Sequence, residues 1–328
     1  MSAGAPELLT GADEALTIEA GGSEREIAAR SPMQLFWRRL RKDKVAMVAL
    51  GFVLLIVLTA IFAPLIVKIA GTPNPQTTNA DLTDDFGQPL GPRAGHPFGV
   101  DKLGRDVFSR TIYGSRVSLE VAFIATALII LIGVSIGLVA GYYRGWLDTL
   151  LTRTMDLLLA FPVLVLAIGI GVACSGKDGC AGGLIQPGLT VVIFVITLTT
   201  WPYMARIVRG QVLSLREKEF VEAAQSLGAS DKRIIFKEIL PNLVAPIIVY
   251  GTILIPQNII YEAALSFLGV GVDPSTPSWG AMIADATDIF DTAWWYMLFP
   301  GVALVLTVLA FNLVGDGLQD ALNPRSSR

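Results

Sequence analysis

Six stretches of about twenty residues, each almost free of charge, constrain this chain more than any other feature of it. They run from about Val45 to Val67, Val117 to Ala140, Met155 to Ala173, Gly188 to Val208, Leu243 to Leu268 and Met297 to Val314. At a rise of about 1.5 Å per residue, a helix of that length crosses about 30 Å of hydrocarbon. Hydrophobic residues make up 53% of the sequence and charged residues only 16%, with a mean hydropathy of +0.59. A soluble domain carries about 25% charged residues, and its buried helices show polar stripes at helical spacing. These stretches show no such stripes, so the expected fold is all-α and polytopic, with about six transmembrane helices in a lipid bilayer.

Lys and Arg set the expected orientation. Arg38, Arg39, Arg41, Lys42 and Lys44 crowd the segment just before the first span, which places the N-terminus in the cytoplasm. Six crossings return the C-terminus to the same side. The loop at 209–241 is then cytoplasmic too, and it carries Arg209, Arg216, Lys218, Lys232, Arg233 and Lys237. Against this stand Lys102, Arg105, Arg110 and Arg116, which precede the second span on the outer side beside Asp101, Asp106 and Glu120.

The organisation follows from these assignments. Residues 1–31, rich in Ala, Gly, Glu and Ser, read as a disordered cytoplasmic tail with no apolar core that could serve as a signal segment. Residues 32–44 alternate apolar and basic side chains. They read as an interfacial amphipathic helix or, alternatively, as an ordinary basic flank. The first span covers 45–67, an outer loop 68–116, and a core of five further spans 117–325.

Several chemistries are excluded. The one histidine, His96, lies far from Cys174 and Cys180, so no metal site is expected. Those cysteines flank the short outer loop CSGKDGC. They are expected to form a disulfide or to remain as two thiols in a flexible loop. Gly171 to Asp178 imitates a phosphate-cradling loop. Asp178, however, stands where Ser or Thr should hold magnesium, and no strand precedes the segment, so no nucleotide or other cofactor is assigned to this chain. The net charge of −3 and the confinement of basic residues to membrane flanks speak against nucleic acid. Catalytic residues are also absent, because the spans lack a nucleophile with a positioned base. Ion-coupled carriers keep ionisable groups at mid-membrane. Here Asp156, Glu262 and Asp316 lie toward span ends, where interfacial or capping roles are the ordinary expectation.

Two further patterns stand out. Gly133, Gly137, Gly141 and Gly145 recur every four residues on one face of the second span, which allows close approach of another helix, a dimer seam or a sliding surface. In the loop EKEFVEAAQSLGASDKRIIFKEILPN, Phe220, Val221, Ala224 and Leu227 share a face at helical spacing. Gly228 supplies a stop, and a second helix from about Asp231 is expected to end at Pro241. The result would be a helix-turn-helix knob tied to two spans, through which a partner could tilt both.

The string Glu222, Ala223, Ala224, Gly228, Leu240 and Pro241 resembles the EAA loop of membrane subunits of binding-protein-dependent ABC importers. HPFGVDKLGRDVFSRTIYGSRVSL, GYYRGWLDTLLTRTMDLLLAFP, EAALSFLGVGVDPSTPSWGAMI and FNLVGDGLQDALNPR narrow this to a likeness with the C-type permeases of dipeptide, oligopeptide and nickel importers, spanning Pro32 to Arg325. The resemblance implies a type I importer permease in the bacterial inner membrane. It would pair with a homologous B-type permease, two cytoplasmic ATPase subunits that carry ATP and Mg, and an extracytoplasmic substrate-binding protein. It implies that Glu222, Ala223, Ala224 and Gly228 couple to the ATPase, with Glu219 and Arg233 as flanking charges. Ser278, Trp279 and Gly280 become candidates for binding-protein contact or an outer gate. The Cys174–Cys180 loop departs from the family pattern. Peptide and nickel import both fit the likeness. An ion-coupled secondary transporter, dependent on a carboxylate such as Glu262, is the rival from another class.

Overall fold

The computed structural model describes residues 32–85, 87–174, 176, 179–180, 182–272 and 275–322; the expected tail at 1–31 lies outside them. Among the described residues there are only helices and isolated β-bridges. Helix α1 (Pro32–Lys42) is followed by Asp43, whose carboxylate accepts from the backbone N–H groups of Val45 (2.9 Å) and Ala46 (3.0 Å) and so caps α2 (Lys44–Ile61). The first span does not run unbroken to Val67. It breaks at Phe62, and Pro64 then opens the first turn of α3 (Ala63–Ala70), where a missing N–H costs nothing.

The second spanning helix, α4 (Val107–Tyr143), has 37 residues, about 55 Å at the usual rise, and so projects beyond the hydrocarbon. Its first ten residues, 107–116, were expected to belong to the outer loop. They are helical because Asp106 caps the backbone N–H of Ser109 (2.7 Å) and because Arg110 is buried in ion pairing. The third span is not straight. Helices α5 (Gly145–Leu159) and α6 (Val163–Cys174) meet at 88°, at the point where Pro162 lacks an N–H and disfavours the helical region for the residue before it.

Helix α7 (Leu189–Arg216) runs parallel to α4. A Cβ built on Gly133 would lie 2.7 Å from that of Met204, one on Gly137 2.7 Å from the Ala205 carbonyl oxygen, and one on Gly141 2.7 Å from the Val212 Cβ. Lipid tails give helices no hydrophobic reason to associate, so this close approach of backbones supplies the packing energy. The row therefore packs within the chain and is no dimer seam. Gly145 does not extend it, because the chain reverses at Arg144 (φ 53°) and Gly145 (φ 67°) after α4 has ended.

Helix α8 (Glu219–Ser226) precedes α9 (Asp231–Phe267), one continuous 37-residue helix. Pro241 does not end it. A π-turn at Ile234–Ile239 shifts the bonding so that the Leu240 N–H reaches the Ile235 carbonyl, and the widened turn accommodates the proline. Helix α10 (Trp279–Ala286) caps the opposite end of the molecule, and α11 (Trp294–Leu322) returns. Leu40, Ala46 and Ala321 share a small core, so both described termini lie at the end where α8 sits.

Parallel α4 and α7 both finish at the α8 end, so the α5–α6 pair must traverse the bundle between them. With the five long apolar helices among the described residues this makes six passes. The largest core gathers Val121, Ile129, Val192, Met204, Val221 and Ile239 from α4, α7, α8 and α9.

At the far end, residues 72–85 and 87–106 fold over the bundle. Asp101 pairs with Arg105 at 2.6 Å and with Arg110 at 3.5 Å, and Lys102 reaches Asp288 at 3.7 Å. Three of the four cations that argued against the orientation are thus partnered by acids.

Candidate functional site

Helix α8 has barely two turns, so it can bury only a narrow stripe. Val221 is 0% exposed and packs among Ile234, Ile235 and Ile239, with Ala224 beside it. Phe220 and Leu227, expected on that same face, are exposed. Leu227 is 88% accessible, and Phe236 of α9 joins them at the surface. Gly228 adopts φ +76°; its N–H reaches the Gln225 carbonyl (2.9 Å), and that of Ala229 the Ala224 carbonyl (3.0 Å). A side chain at this φ would be strained, and these bonds turn the chain sharply into α9. Glu219, Glu222, Ala223 and Arg233 all face solvent around the knob.

The knob is anchored from beneath. The Tyr142 hydroxyl donates to Asp231 (2.8 Å), while Arg216 donates to the Tyr142 carbonyl and lies over its ring. Arg144 meets Glu217 at 2.6 Å, Arg209 grips Asp148 with two bonds of 2.5 and 2.7 Å, and Arg206 meets Asp156 at 2.6 Å. The partly buried bidentate pair fixes α5 against α7 more firmly than the exposed pairs, each of which contributes about 0.2–1 kcal/mol. Sequence reasoning missed these anchors because their partners are 50 to 89 residues apart.

Ser278, Trp279 and Gly280 are all buried, so they offer no side chain to a docking protein. The Ser278 hydroxyl caps α10 by accepting from the Ala281 N–H (3.2 Å), and the Trp279 indole donates to the Thr111 carbonyl (3.0 Å). A Cβ on Gly280 would sit 2.4 Å from the Cα of Ala263. These three residues lock α10 to α4 and α9. Beside them Glu262, fully buried, accepts from Ser118 and Ser266 at 2.8 Å each. Cys174 and Cys180 are joined in a disulfide, and no free cysteine occurs among the described residues. No cluster of metal-ligating side chains occurs there either.

Six apolar passes and a rigid, exposed knob fastened between two of them define a polytopic transport subunit. The chain belongs to the family described as binding-protein-dependent transport system inner membrane components, whose model matches residues 133–328. A second model, the N-terminal TM domain of oligopeptide transport permease C, matches residues 31–89. The chain is therefore a multi-pass protein of the bacterial inner membrane.

Among its relatives, the dipeptide transport system permease protein DppC of Alkalihalophilus pseudofirmus is 41% identical over 92% of this chain and 93% of its own length. The glutathione transport system permease protein GsiD of Escherichia coli is 43% identical over 90% and 91%. Among solved structures, the inward-facing MetNI methionine ABC transporter superposes with a TM-score of 0.55 at 20% identity, covering 66% of this chain and 97% of that one. That likeness concerns the fold.

Proposed function

We propose that this chain is one of two permease subunits of an ATP-driven importer of peptides, with a homologous B-type permease supplying the other half of the path. Similarity along nine-tenths of the chain to dipeptide and glutathione permeases supports the substrate class. In this reading the α8 end is cytoplasmic, and ATP and Mg reside on two partner ATPase subunits. Each ATPase receives a knob in a surface cleft, and a substrate-binding protein docks outside.

The observation that carries the reading is the knob itself. Phe220, Leu227 and Phe236 are apolar side chains exposed on the knob, while Val221 and the anchors beneath make it rigid. Exposed apolar patches mark contact sites, and a rigid knob passes displacement directly into α7 and α9. Glu222, Ala223, Ala224 and Gly228 shape the knob, and Glu219 and Arg233 flank it as charged contacts. Switching a transporter from about 1:99 to 99:1 between inward- and outward-open states requires differential binding of about 5.5 kcal/mol, which ATP-driven closure of the ATPase pair supplies. The locked α10 acts as part of the outer closure.

Leu227→Asp tests this. Burying a leucine contributes about 1.5–3 kcal/mol. The variant should insert and melt like the parent yet bind the ATPase subunits at least tenfold more weakly and lose peptide import. Undiminished association would remove the knob from the coupling path.

A further inference from the structure

We infer that the cavity between the middles of α7 and α9, lined by Thr200, Tyr203, Tyr250, Gln257 and Tyr261, is a contact subsite for the uncharged interior of a peptide in transit; this rests on the reading proposed above. The space measures about 270 Å³. Two grooves on the spanning helices are different in kind, being almost wholly apolar. The one between α2 and α11 is lined by Val45, Val48, Phe52, Leu306, Leu309 and Leu313, with Lys44 at its end, and suits lipid tails. A face that sets three phenols, an amide and a hydroxyl among Met204, Ile207, Ile253 and Leu254 suits lipid less well, because polar groups in hydrocarbon lose water without replacement. The α7–α9 face therefore looks onto the path, and the α2–α11 face onto the bilayer.

Threonines in spanning helices ordinarily return their hydroxyl to a carbonyl one turn back, as Thr199 does to Val195 (2.9 Å) and Thr307 to Ala303 (2.7 Å). The buried hydroxyls of Thr197 and Thr200 have no partner, and of the two residues Thr200 lines this cavity. Gln257 donates one amide N–H to the Tyr261 hydroxyl (2.9 Å), leaving its other N–H and its oxygen for a group from outside the chain. The lining therefore offers donors and acceptors side by side, with ring faces between them and no charged side chain.

A peptide backbone presents alternating N–H and C=O groups and apolar side chains, which this lining complements without regard to sequence. A metal ion finds neither carboxylate nor imidazole nor thiolate here. The two walls belong to the helices on either side of the knob, so displacement of α8 changes the width of the cavity. Peptide contact is thereby made and broken within the transport cycle.

The cysteines of the chain are tied to each other, so an introduced cysteine is the only free thiol on the subunit. Gln257→Cys and Tyr203→Cys, with Val48→Cys as the lipid-facing control, are assembled into the complete transporter in liposomes. Each is treated with a cationic methanethiosulfonate reagent during turnover, with and without trialanine. The two cavity positions should react at least tenfold faster than position 48, and trialanine should slow them at least fivefold. Either cavity position suffices should the other variant fail to assemble. If trialanine is imported but leaves the modification rates unchanged, or if the cavity positions do not react, the subsite is wrong and the proposed function stands. If the parent complex imports no peptide, both fall.

Discussion

Glu262 shows at the scale of one residue what a buried carboxylate is for in this bundle. It has no solvent exposure, and its oxygens are occupied by hydroxyls from Ser118 on α4 and Ser266 on α9, so it ties two helices together. Glu262→Gln keeps the volume and an accepting oxygen, and a serine hydroxyl can turn to accept from the new amide. Peptide import should stay within about threefold of the parent, a change of under 1 kcal/mol. Glu262→Ala leaves these hydroxyls facing a void and should cost about 1–3 kcal/mol, read as a lower Tm in detergent. Loss of import in a well-folded Gln variant would instead make Glu262 the proton relay of an ion-coupled carrier. The sequence displayed this carboxylate near a span end and suggested an interfacial group. Its burial was not legible, because Ser118 lies 144 residues away.

Between elements, the α4–α7 seam is the most demanding contact in the fold. Each added Cβ along it would meet backbone or the Cβ of Met204, Val208 or Val212 at 2.7 Å. Gly137→Val should lower stability by about 1–3 kcal/mol, whereas Gly210→Ala, with no heavy atom within 4 Å of the new methyl, should be neutral or stabilising by up to about 1 kcal/mol. Thermal unfolding of the two variants in one detergent makes the comparison; equal Tm values would show that the seam is not held by backbone approach.

The spacing of this row was legible because four residues are close to one helical turn. Its end was not, since nothing in Tyr143-Arg144-Gly145 signals a reversal as strongly as the φ of 53° at Arg144 does. Pro162 lies inside the stretch from Met155 to Ala173 that reads as one span, and the bend of 88° there was not anticipated. Pro241 misled, because a π-turn has no signature in residue type. Phe220 and Leu227 were assigned inward by periodicity, but a two-turn helix has room inside for only Val221 and Ala224, and that limit belongs to packing.

The direction of every helix in the molecule follows from the parallel run of α4 and α7. If α5 and α6 dipped into the membrane and returned, α7 would have to begin at the α8 end and run against α4, which the pairing of Gly133 with Met204 and Gly141 with Val212 forbids. The residues flanking the bent pair must therefore lie on opposite sides of the membrane. Trp146, just after α4, and Leu184, just before α7, are both exposed and suit a direct test. With the native cysteines joined, Trp146→Cys should react with an impermeant maleimide only in inside-out vesicles, and Leu184→Cys only in right-side-out vesicles. This distribution follows from the basic residues, since Arg38, Arg39, Arg41, Arg209, Lys218 and Lys232 gather at the α8 end, whereas Arg105 and Arg110 at the other end are held by Asp101. Labelling of both positions from one side would make α5–α6 re-entrant, leave five crossings, and separate the two described termini across the membrane.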